Sequence, residues 1–274
     1  MIVFPNCKIN LGLRILRKRN DGYHDLETLL YPLPLFDVLE IIRSPENSST
    51  LSFSSSGSLV DENNDNNLCV KAYHLIKKNH TKLPASRIHL HKAIPIGAGL
   101  GGGSADAAFT LKLLNEKFGL QLTPGQLIHY ALQLGSDCPF FIINKPAFAE
   151  GRGEILEPVS LDLSTYKFII VNPGIHINTA NAFSAITLAL PTKSLKEIVQ
   201  QPINSWKNEL VNDFEKTVFH QYPEIGLIKN KLYDKGAVYA SMSGSGSTVY
   251  GIFKKDAVAD HHFPPHYLLR ELNG

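Results

Sequence analysis

A glycine-rich stretch is the clearest chemical feature of the sequence. Residues 95–105 read PIGAGLGGGSA and place five glycines within the seven positions from Gly97 to Gly103. Glycine accepts positive φ and lets backbone N–H groups approach a ligand with no side chain between them. Apolar residues with helical spacing follow Ser104, so the loop is predicted to open directly into a helix. Backbone N–H groups and the positive end of a helix dipole would then meet at one place, which is an arrangement that binds phosphate.

Three familiar phosphate-binding motifs do not fit the surroundings of this loop. Residues 97–102 match G-x-G-x-x-G, but the preceding segment IHLHK is short and polar and no second strand with an acidic end follows, as dinucleotide binding requires. A Walker loop needs a lysine before Ser104, and a protein-kinase loop needs HRD and DFG motifs downstream; the sequence has none of these. In a plain turn, ordering five glycines would cost conformational entropy with no compensating interaction, so a phosphate-binding loop is favoured.

Two charged residues occupy positions that ordinary structure explains poorly. Lys8 lies in a loosely alternating apolar segment, residues 1–16, where an unpaired charge is costly. Asp137 follows a predicted helix end, where the dipole disfavours an anion. The simpler alternatives are a water-facing edge-strand lysine for Lys8 and a turn-stabilising residue for Asp137. For Ser104, a phosphate contact and a plain N-cap explain the residue equally well.

The apolar periodicity predicts the elements that carry these residues. Residues 17–22 are predicted to form a hairpin loop. A short strand, FFII, is predicted at residues 140–143, after Asp137. Residues 150–157 are predicted to form a hinge. The mixture lacks a regular βαβ alternation, so the predicted fold class is α+β. The predicted strands cover residues 24–33, 37–42, 87–91, 167–171 and 249–253. The predicted helices cover residues 68–78 (capped by Asn66 or Asn67), 104–118, 124–134, 180–188, 194–199, 212–220 and 225–234.

Composition narrows the class of protein. The chain has 274 residues, 43% of them hydrophobic, and a formal charge of +2. The length and the hydrophobic content suit one large or two small globular domains. The small net charge gives no strong electrostatic attraction to nucleic acid or membranes. Three widely spaced cysteines without a CxxC pattern suggest free thiols in a reducing compartment. The spacing of His261, His262 and His266 matches no zinc pattern. We therefore expect a cytoplasmic protein that binds neither nucleic acid nor membranes, and no protein-held metal.

Three motifs together resemble the GHMP family of small-molecule kinases. They are FPNCKINLGL near the N-terminus, PIGAGLGGGSADAA, and SMSGSGSTVYGIF near the C-terminus. Three further stretches are similar to family members whose acceptor carries a cytidine diphosphate group: RNDGYHDLETL, AFAEGRGE and NPGIHINTANAF. The resemblance implies two α+β lobes with the active site in the cleft between them. It implies an ATP-binding and catalytic domain over residues 1–157 and a substrate-binding domain over 158–274.

The resemblance also implies an activity, which is ATP-dependent phosphorylation of the 2-hydroxyl of a cytidine-diphospho polyol in isoprenoid precursor synthesis. Asp137 would be the general base, and Lys8 would keep that carboxylate ionised and offset charge in the transition state. The third glycine motif would support the second rather than bind ATP alone. Mg²⁺ would be held mainly by ATP phosphates and waters. The implied ATP-binding residues are Pro95, Ile96, Gly97, Ala98, Gly99, Leu100, Gly101, Gly102, Gly103, Ser104 and Ala105, with Asn67 and Lys92 near the adenosine. The implied substrate-binding residues are Asn10, Tyr23, His24, Thr179 and Phe183, whose aromatic members would stack on cytosine.

Two alternatives stay open at this stage. Another GHMP kinase with a homoserine or mevalonate acceptor would leave Tyr23, His24 and Phe183 unexplained, because a small acceptor has no base to stack. A catalytically silent nucleotide or sugar sensor of the same fold would be expected to lose Lys8 or Asp137, and both are present.

Overall fold

The computed structural model describes residues 1–45, 50–58, 66–184, 186, 193–257 and 262–274. Their contacts divide the chain into two compact units that interleave along the sequence. Unit 1 comprises Met1–Cys7, Leu35–Ile96 and Gly101–Lys145, and unit 2 comprises Lys8–Pro34, Gly97–Leu100 and Pro146–Gly274. The domain boundary after residue 157 and the position of the active site in a cleft stay predictions.

Strands and helices mix throughout the described residues. The strands are β1 Ile2–Val3, β2 Asn6–Lys18, β3 His24–Phe36, β4 Val38–Arg43, β5 Ser52–Gly57, β6 Ser86–Lys92, β7 Ala147–Gly151, β8 Ile155–Pro158, β9 Tyr166–Asn172, β10 Tyr239–Met242, β11 Val249–Lys254 and β12 Leu268–Asn273. The helices are α1 Leu68–Asn79, α2 Gly102–Phe118, α3 Pro124–Leu134, α4 Cys138–Ile143, α5 Thr179–Ser184, α6 Leu195–Val199, α7 Trp206–Glu209, α8 Phe214–Gln221 and α9 Pro223–Asp234, with a 3-10 turn at Ile203–Ser205. The α+β class is confirmed.

Unit 1 contains a four-stranded sheet in the order β1-β4-β6-β5, in which β5 runs parallel to β6 and the other pairs are antiparallel. Along β6 the side chains alternate between buried and more exposed, with Ile88, Leu90 and Lys92 on the buried side. Helices α1 and α2 supply the apolar partners of this face, through residues such as Tyr73 and Leu111. The core of unit 1 therefore places a lysine, Lys92, beside the start of α2.

Unit 2 contains two four-stranded sheets. One has the order β10-β11-β9-β12 and is antiparallel throughout, and its apolar side chains pack with those of α8 and α9. The other has the order β2-β3-β7-β8. In the second sheet Leu26 of β3 lies opposite Gly151 of β7. That register brings the turn before β3 to the same end of the sheet as the turn after β7.

The predicted helix ends follow the capping chemistry. The Asn67 side chain accepts a hydrogen bond from the Cys69 N–H at the start of α1. Thr123 and Gln126 form the capping box of α3, and Gly119 ends α2 in the left-handed conformation. The hairpin loop predicted at residues 17–22 begins two residues later than predicted, because β2 extends to Lys18, and it is closed by the Arg19 N–H bonded to the Tyr23 carbonyl. The last part of the predicted helix 180–188 extends to residues outside those described.

Two sequence predictions of local structure are wrong. The segment FFII is not a strand but belongs to α4, and Pro139 near its start is a common helix-opening residue. A four-residue apolar run does not distinguish a strand from a buried helical turn, which explains the error. Residues 150–157 are not a hinge, because they form the antiparallel hairpin of β7 and β8. Among the described residues, no helix combines the length and the apolar character needed to cross a membrane.

Candidate active site

The three predicted motifs meet in unit 2 around residues 97–100. The Lys8 N–H donates to the Leu100 carbonyl oxygen over 2.9 Å, so the first motif runs beside the second. The Ser243 hydroxyl donates to the Gly99 carbonyl oxygen over 2.8 Å, and the Thr248 N–H donates to the Ala98 carbonyl oxygen over 3.3 Å. The predicted support of the second glycine motif by the third is thus confirmed.

The loop needs glycine at specific points. Gly97, Gly99 and Gly101 all have positive φ, at +65°, +80° and +70°. A Cβ atom on Gly99 would overlap the carbonyl oxygen of Ser243. Gly99 is therefore required both by its backbone conformation and by its close packing on the third motif.

The remaining loop residues divide by exposure. Ile96 is 56% exposed, and Gly97 and Gly103 are exposed as well. The buried residues are Ala98, Leu100, Gly102 and Ala105, while Pro95, Gly99, Gly101 and Ser104 are half-buried. The loop thus buries Ala98, Leu100 and Ala105 and leaves Ile96 and the backbone of Gly97 and Gly103 at the surface.

Lys8 lies inside unit 2 and does not face water. Its side chain is 4% exposed, and its Nζ donates to Asn10 Oδ1 over 2.6 Å. The Asn10 side chain in turn donates to Thr28 Oγ1 over 3.0 Å, and the Asn10 N–H donates to Ser243 Oγ over 3.2 Å. The alternative of a water-facing lysine is therefore wrong, although β2 is an edge strand of its sheet. Lys8 and Asn10 share one face of β2, and a hydrogen-bond network ties that face to the third motif.

Ser104 is not the N-cap of its helix. Gly101 occupies the cap position of α2, so Ser104 is the third helical residue. Its side chain lies close enough to the Cys138 thiol in α4 to influence the pKa of that thiol. Burial raises the pKa of that thiol to about 12, with the Asp137 charge adding to the effect and Ser104 opposing it. Unit 1 therefore holds the first turn of α2 beside the segment that carries Asp137.

Asp137 stands between two helices. It follows Gly135, the C-cap of α3, and it occupies the N-cap position of α4, without capping that helix through its side chain. The strand predicted after Asp137 is the helix α4, so Asp137 also precedes a helix. Because a helix N-terminus favours an anion, the position has an ordinary electrostatic reason as well. The side chain is half-buried.

Lys92 belongs to a buried ion-pair cluster in unit 1. The side chain is 3% exposed, and its Nζ contacts both Asp37 and Asp106, the latter over 2.8 Å. Burial alone lowers the pKa of Lys92, but the two carboxylates outweigh it and raise that pKa overall. For the Asp106 carboxyl, burial has the opposite effect and raises the pKa to about 7, although the Lys92 charge acts to lower it. The ammonium group is thus committed to two carboxylates, and its predicted contact with adenosine stays a prediction.

The cluster also fixes the segment that follows β6. Asp37 Oδ1 accepts hydrogen bonds from the N–H groups of Ala93 and Ile94, over 2.6 and 2.9 Å. A Cβ on Gly102 would come within 3.2 Å of Lys92 Nζ. At the same end of α2, a Cβ on Gly103 would meet Leu68, the residue after Asn67. Asn67 therefore lies near the loop, and its capping bond supplies the structural reason for its presence.

The predicted pocket for the base is partly assembled within unit 2. The rings of His24 and Phe183 stack with centroids 4.8 Å apart and an angle of 17° between their planes. Tyr23 is 52% exposed and lies under the guanidinium of Arg152, which is 3.8 Å from the ring centroid. The Thr179 hydroxyl lies 3.1 Å from the Ser245 hydroxyl of the third motif. In this conformation His24 and Phe183 contact each other directly and leave no space for a ring between them.

Several residues at the site escaped the sequence analysis. Asp106 carried a visible signal, since it interrupts the small apolar residues of a helix, SADAA. Asp37, Thr28 and Ser243 carried none, because only the paired strands and loops bring them to their partners. Arg152 lies in the stretch AFAEGRGE, whose sequence does not indicate a chemical role for the arginine.

No metal site emerges in the part of the chain that the structure describes, where no three His, Cys, Asp or Glu side chains are grouped to hold an ion. The His262 carbonyl accepts a hydrogen bond from Lys231, and the His266 ring packs on Tyr267. His261 lies outside the described residues.

Comparison with known proteins identifies the relatives of the chain. The family model of the GHMP kinases N terminal domain matches residues 67–145, and that of the GHMP kinases C terminal matches residues 194–261. A protein of Bacteroides fragilis named 4-diphosphocytidyl-2-C-methyl-D-erythritol kinase is 54% identical over 93% of each chain. A crystal structure of 4-(cytidine 5'-diphospho)-2C-methyl-D-erythritol kinase covers both chains fully, with a TM-score of 0.81 and 29% identity. The mevalonate kinase of Methanococcus jannaschii has a TM-score of 0.68 at 13% identity, which shows a common fold.

Proposed function

The chain belongs to the GHMP kinase family of ATP-dependent small-molecule kinases, and from this we propose that it phosphorylates the 2-hydroxyl of 4-diphosphocytidyl-2-C-methyl-D-erythritol, a step of isoprenoid precursor synthesis. One observation carries the choice of acceptor: the relative that bears this substrate in its name is 54% identical over 93% of each chain. The likeness to a mevalonate kinase, at 13% identity, supports the fold alone.

ATP would be bound through the backbone of residues 95–105. Three features support this: the alternating left-handed glycines, the exposed backbone at Gly97 and Gly103, and a 17-residue helix that begins at Gly102. N–H groups in the first turn of such a helix have no partner within the helix and favour phosphate oxygens. When bound, ATP supplies the phosphoryl group that the acceptor oxygen receives. Ser104, as the third residue of α2, would present its N–H group to the same phosphates.

Asp137 would accept the proton of the acceptor hydroxyl as the oxygen–phosphorus bond forms and ADP leaves. Lys8 would keep that carboxylate ionised and stabilise the charge that develops during transfer. The buried position of Lys8 supports this role, because an ammonium group held by Asn10 has little freedom and a strong local field.

The cytidine group would bind at the aromatic residues of unit 2. Tyr23 offers a half-exposed ring, and base stacking on such a ring contributes about 1–3 kcal/mol. His24 and Phe183 would complete the pocket, with Asn10 and Thr179 as polar contacts. Because the centroids of the two stacked rings lie 4.8 Å apart, binding of the base between them would require one ring to move.

The described residues offer no three-residue cluster for Mg²⁺. We propose that the phosphates of ATP, with waters, hold Mg²⁺ in the complex. We also propose a cytoplasmic location, which is supported by the three cysteines, Cys7, Cys69 and Cys138, all buried and free of disulfides.

A coupled ADP-release assay tests the proposal. The purified chain is given ATP, Mg²⁺ and one of three acceptors: the cytidine-diphospho compound, mevalonate or homoserine. We expect turnover with the first and less than about 1% of that rate with the others, because specific recognition of a polar ligand discriminates by factors of about 10⁴. Preferred turnover of mevalonate or homoserine would reject the acceptor. ATP binding without transfer to any acceptor would instead favour the silent sensor.

A further inference from the structure

A single cation–π contact joins two turns of unit 2 that are far apart in sequence. Tyr23 ends the turn between β2 and β3, and Arg152 begins the turn between β7 and β8. The pairing of Leu26 with Gly151 places the two turns at one end of the sheet. The Arg152 guanidinium consequently lies 3.8 Å from the centroid of the Tyr23 ring, which is within contact distance of its face.

Each of the two residues donates its backbone N–H to a carboxylate within its own turn. The Tyr23 N–H donates to Asp21 Oδ1 over 3.1 Å, and Arg19 binds the same carboxylate. The pKa of Asp21 lies below its ordinary value, chiefly because of the Tyr23 N–H bond and also because of the Arg19 and Arg152 charges. On the other turn, the Arg152 N–H donates to Glu154 Oε2 over 2.5 Å. The Arg152 backbone is thus fixed by Glu154, and its guanidinium lies over the Tyr23 ring.

Because of this arrangement, the two faces of the Tyr23 ring differ in how far they are covered. Arg152 covers one face, while 52% of the side chain is exposed. An exposed tyrosine that stacks on a ligand ordinarily loses rotamer freedom on binding, which reduces affinity. A ring already fixed by a guanidinium loses less, so the uncovered part is a prepared stacking surface.

We propose that Arg152 is a positioning residue that fixes the Tyr23 ring for stacking on the pyrimidine of the acceptor. The inference rests on the proposed function for the identity of that base. It assigns a role to the EGRGE stretch, and it makes Arg152 act through Tyr23 rather than by touching the substrate. Loss of Arg152 should therefore weaken binding of the acceptor and spare both ATP binding and the chemical step.

The test compares Arg152→Ala, Arg152→Lys and Tyr23→Ala, singly and as the Arg152→Ala/Tyr23→Ala double variant. Lys207→Ala is the matched control, because Lys207 also lies over a tyrosine ring of unit 2, that of Tyr233, at 4.4 Å. For each protein the KM of the acceptor, the KM of ATP and kcat are measured. Calorimetric titration with CDP gives a second readout that does not need turnover.

For Arg152→Ala we expect an acceptor KM and a CDP Kd raised about three- to tenfold, as befits a partly exposed cation–π contact and a loosened ring. The KM of ATP, kcat and the unfolding midpoint should stay near wild type, and Arg152→Lys should recover part of the loss. In the double variant, removal of Arg152 should add little to the loss caused by Tyr23→Ala. Lys207→Ala should match the wild type.

Other outcomes overturn the inference. An acceptor KM and a CDP Kd unchanged in Arg152→Ala would reject it, while turnover by the wild type would leave the proposed function intact. Additive losses in the double variant would show that Arg152 acts apart from Tyr23. A fall in unfolding midpoint with changes in both KM values would mark a merely structural residue. A wild-type chain that neither phosphorylates the acceptor nor binds CDP would reject both proposals together.

Discussion

Ser243 donates its hydroxyl proton to the carbonyl oxygen of Gly99 over 2.8 Å, and the two backbones lie so close that a Cβ on Gly99 would overlap the Ser243 carbonyl oxygen. The shape of the second glycine motif at this point is therefore set by the third motif, 144 residues further along the chain.

Substitution of Gly99 by alanine should disrupt this contact. The positive φ costs about 1 kcal/mol for alanine, and the overlap with Ser243 forces the loop to move. We expect the KM of ATP to rise at least about tenfold, since the loop backbone is the proposed phosphate cradle. Gly125→Ala is the control, because a Cβ there meets no atom within 4 Å. An unchanged KM of ATP in Gly99→Ala would contradict the proposed cradle.

Asp137→Asn and Lys8→Ala should each nearly abolish turnover while ATP still binds. Removal of a general base typically costs about 10²–10⁴-fold in rate, and Lys8 would act in the same step. Single-turnover transfer and nucleotide titration measure the two effects separately. Because Lys8 is buried, the unfolding midpoint of its variant is recorded as a control for folding. Turnover near that of the wild type in either folded variant would remove that residue from the mechanism.

Asn67 permits a test that separates capping from ATP binding. Asn67→Ala removes the bond from the Cys69 N–H and should lower the free energy of unfolding by about 1 kcal/mol. Asn67→Ser keeps an oxygen that caps the helix but lacks the carboxamide. If Asn67 also contacts adenosine, as predicted, both variants should raise the KM of ATP. A normal KM of ATP in the serine variant would leave capping as the role of Asn67.

The Lys92 cluster should give the protein a distinct dependence on pH. The folded pKa of Asp106, about 7, lies above its ordinary value of 3.8, so the folded state binds the proton more tightly than the unfolded state. The contribution of this group to stability is therefore complete below about pH 4 and is lost as the pH rises to about 7. Urea unfolding between pH 4 and 8 should show a decline that is weaker in Asp106→Asn. Equal slopes in the two proteins would contradict the raised pKa.

Lys92→Met provides the stronger perturbation of the same cluster. It leaves Asp37 and Asp106 buried without their cation, and loss of one partner of a buried ion pair typically destabilises by about 3–5 kcal/mol. The free energy of unfolding at pH 8 measures this loss. Lys196→Met is the control, since that ion-paired lysine is exposed and such pairs contribute little to stability. Similar losses in both variants would argue against a structural role for the cluster.

Much of the local structure followed from the sequence because the relevant interactions are local. Asn67 is one of the two caps predicted for helix 68–78, and the predicted bounds at 118 and 124 lie next to the caps Gly119 and Thr123, since a cap satisfies backbone groups within three or four residues. The same reasoning failed at residues 140–143, where a short apolar run fits a strand or a helix equally well and only packing decides. Ser104 was misplaced by three positions because Gly101, without a side chain, takes the cap position.

By itself the sequence determined that a glycine-rich loop opens a helix, that a lysine lies in an apolar segment, and that three motifs resemble those of GHMP kinases. Each depends on residue type and short spacing. Tertiary structure alone decided that Lys92 is enclosed by Asp37 and Asp106, that Gly99 packs on Ser243, and that Arg152 covers Tyr23. These contacts join residues between 14 and 144 positions apart. They depend on strand register and loop packing, which short-range sequence patterns do not encode.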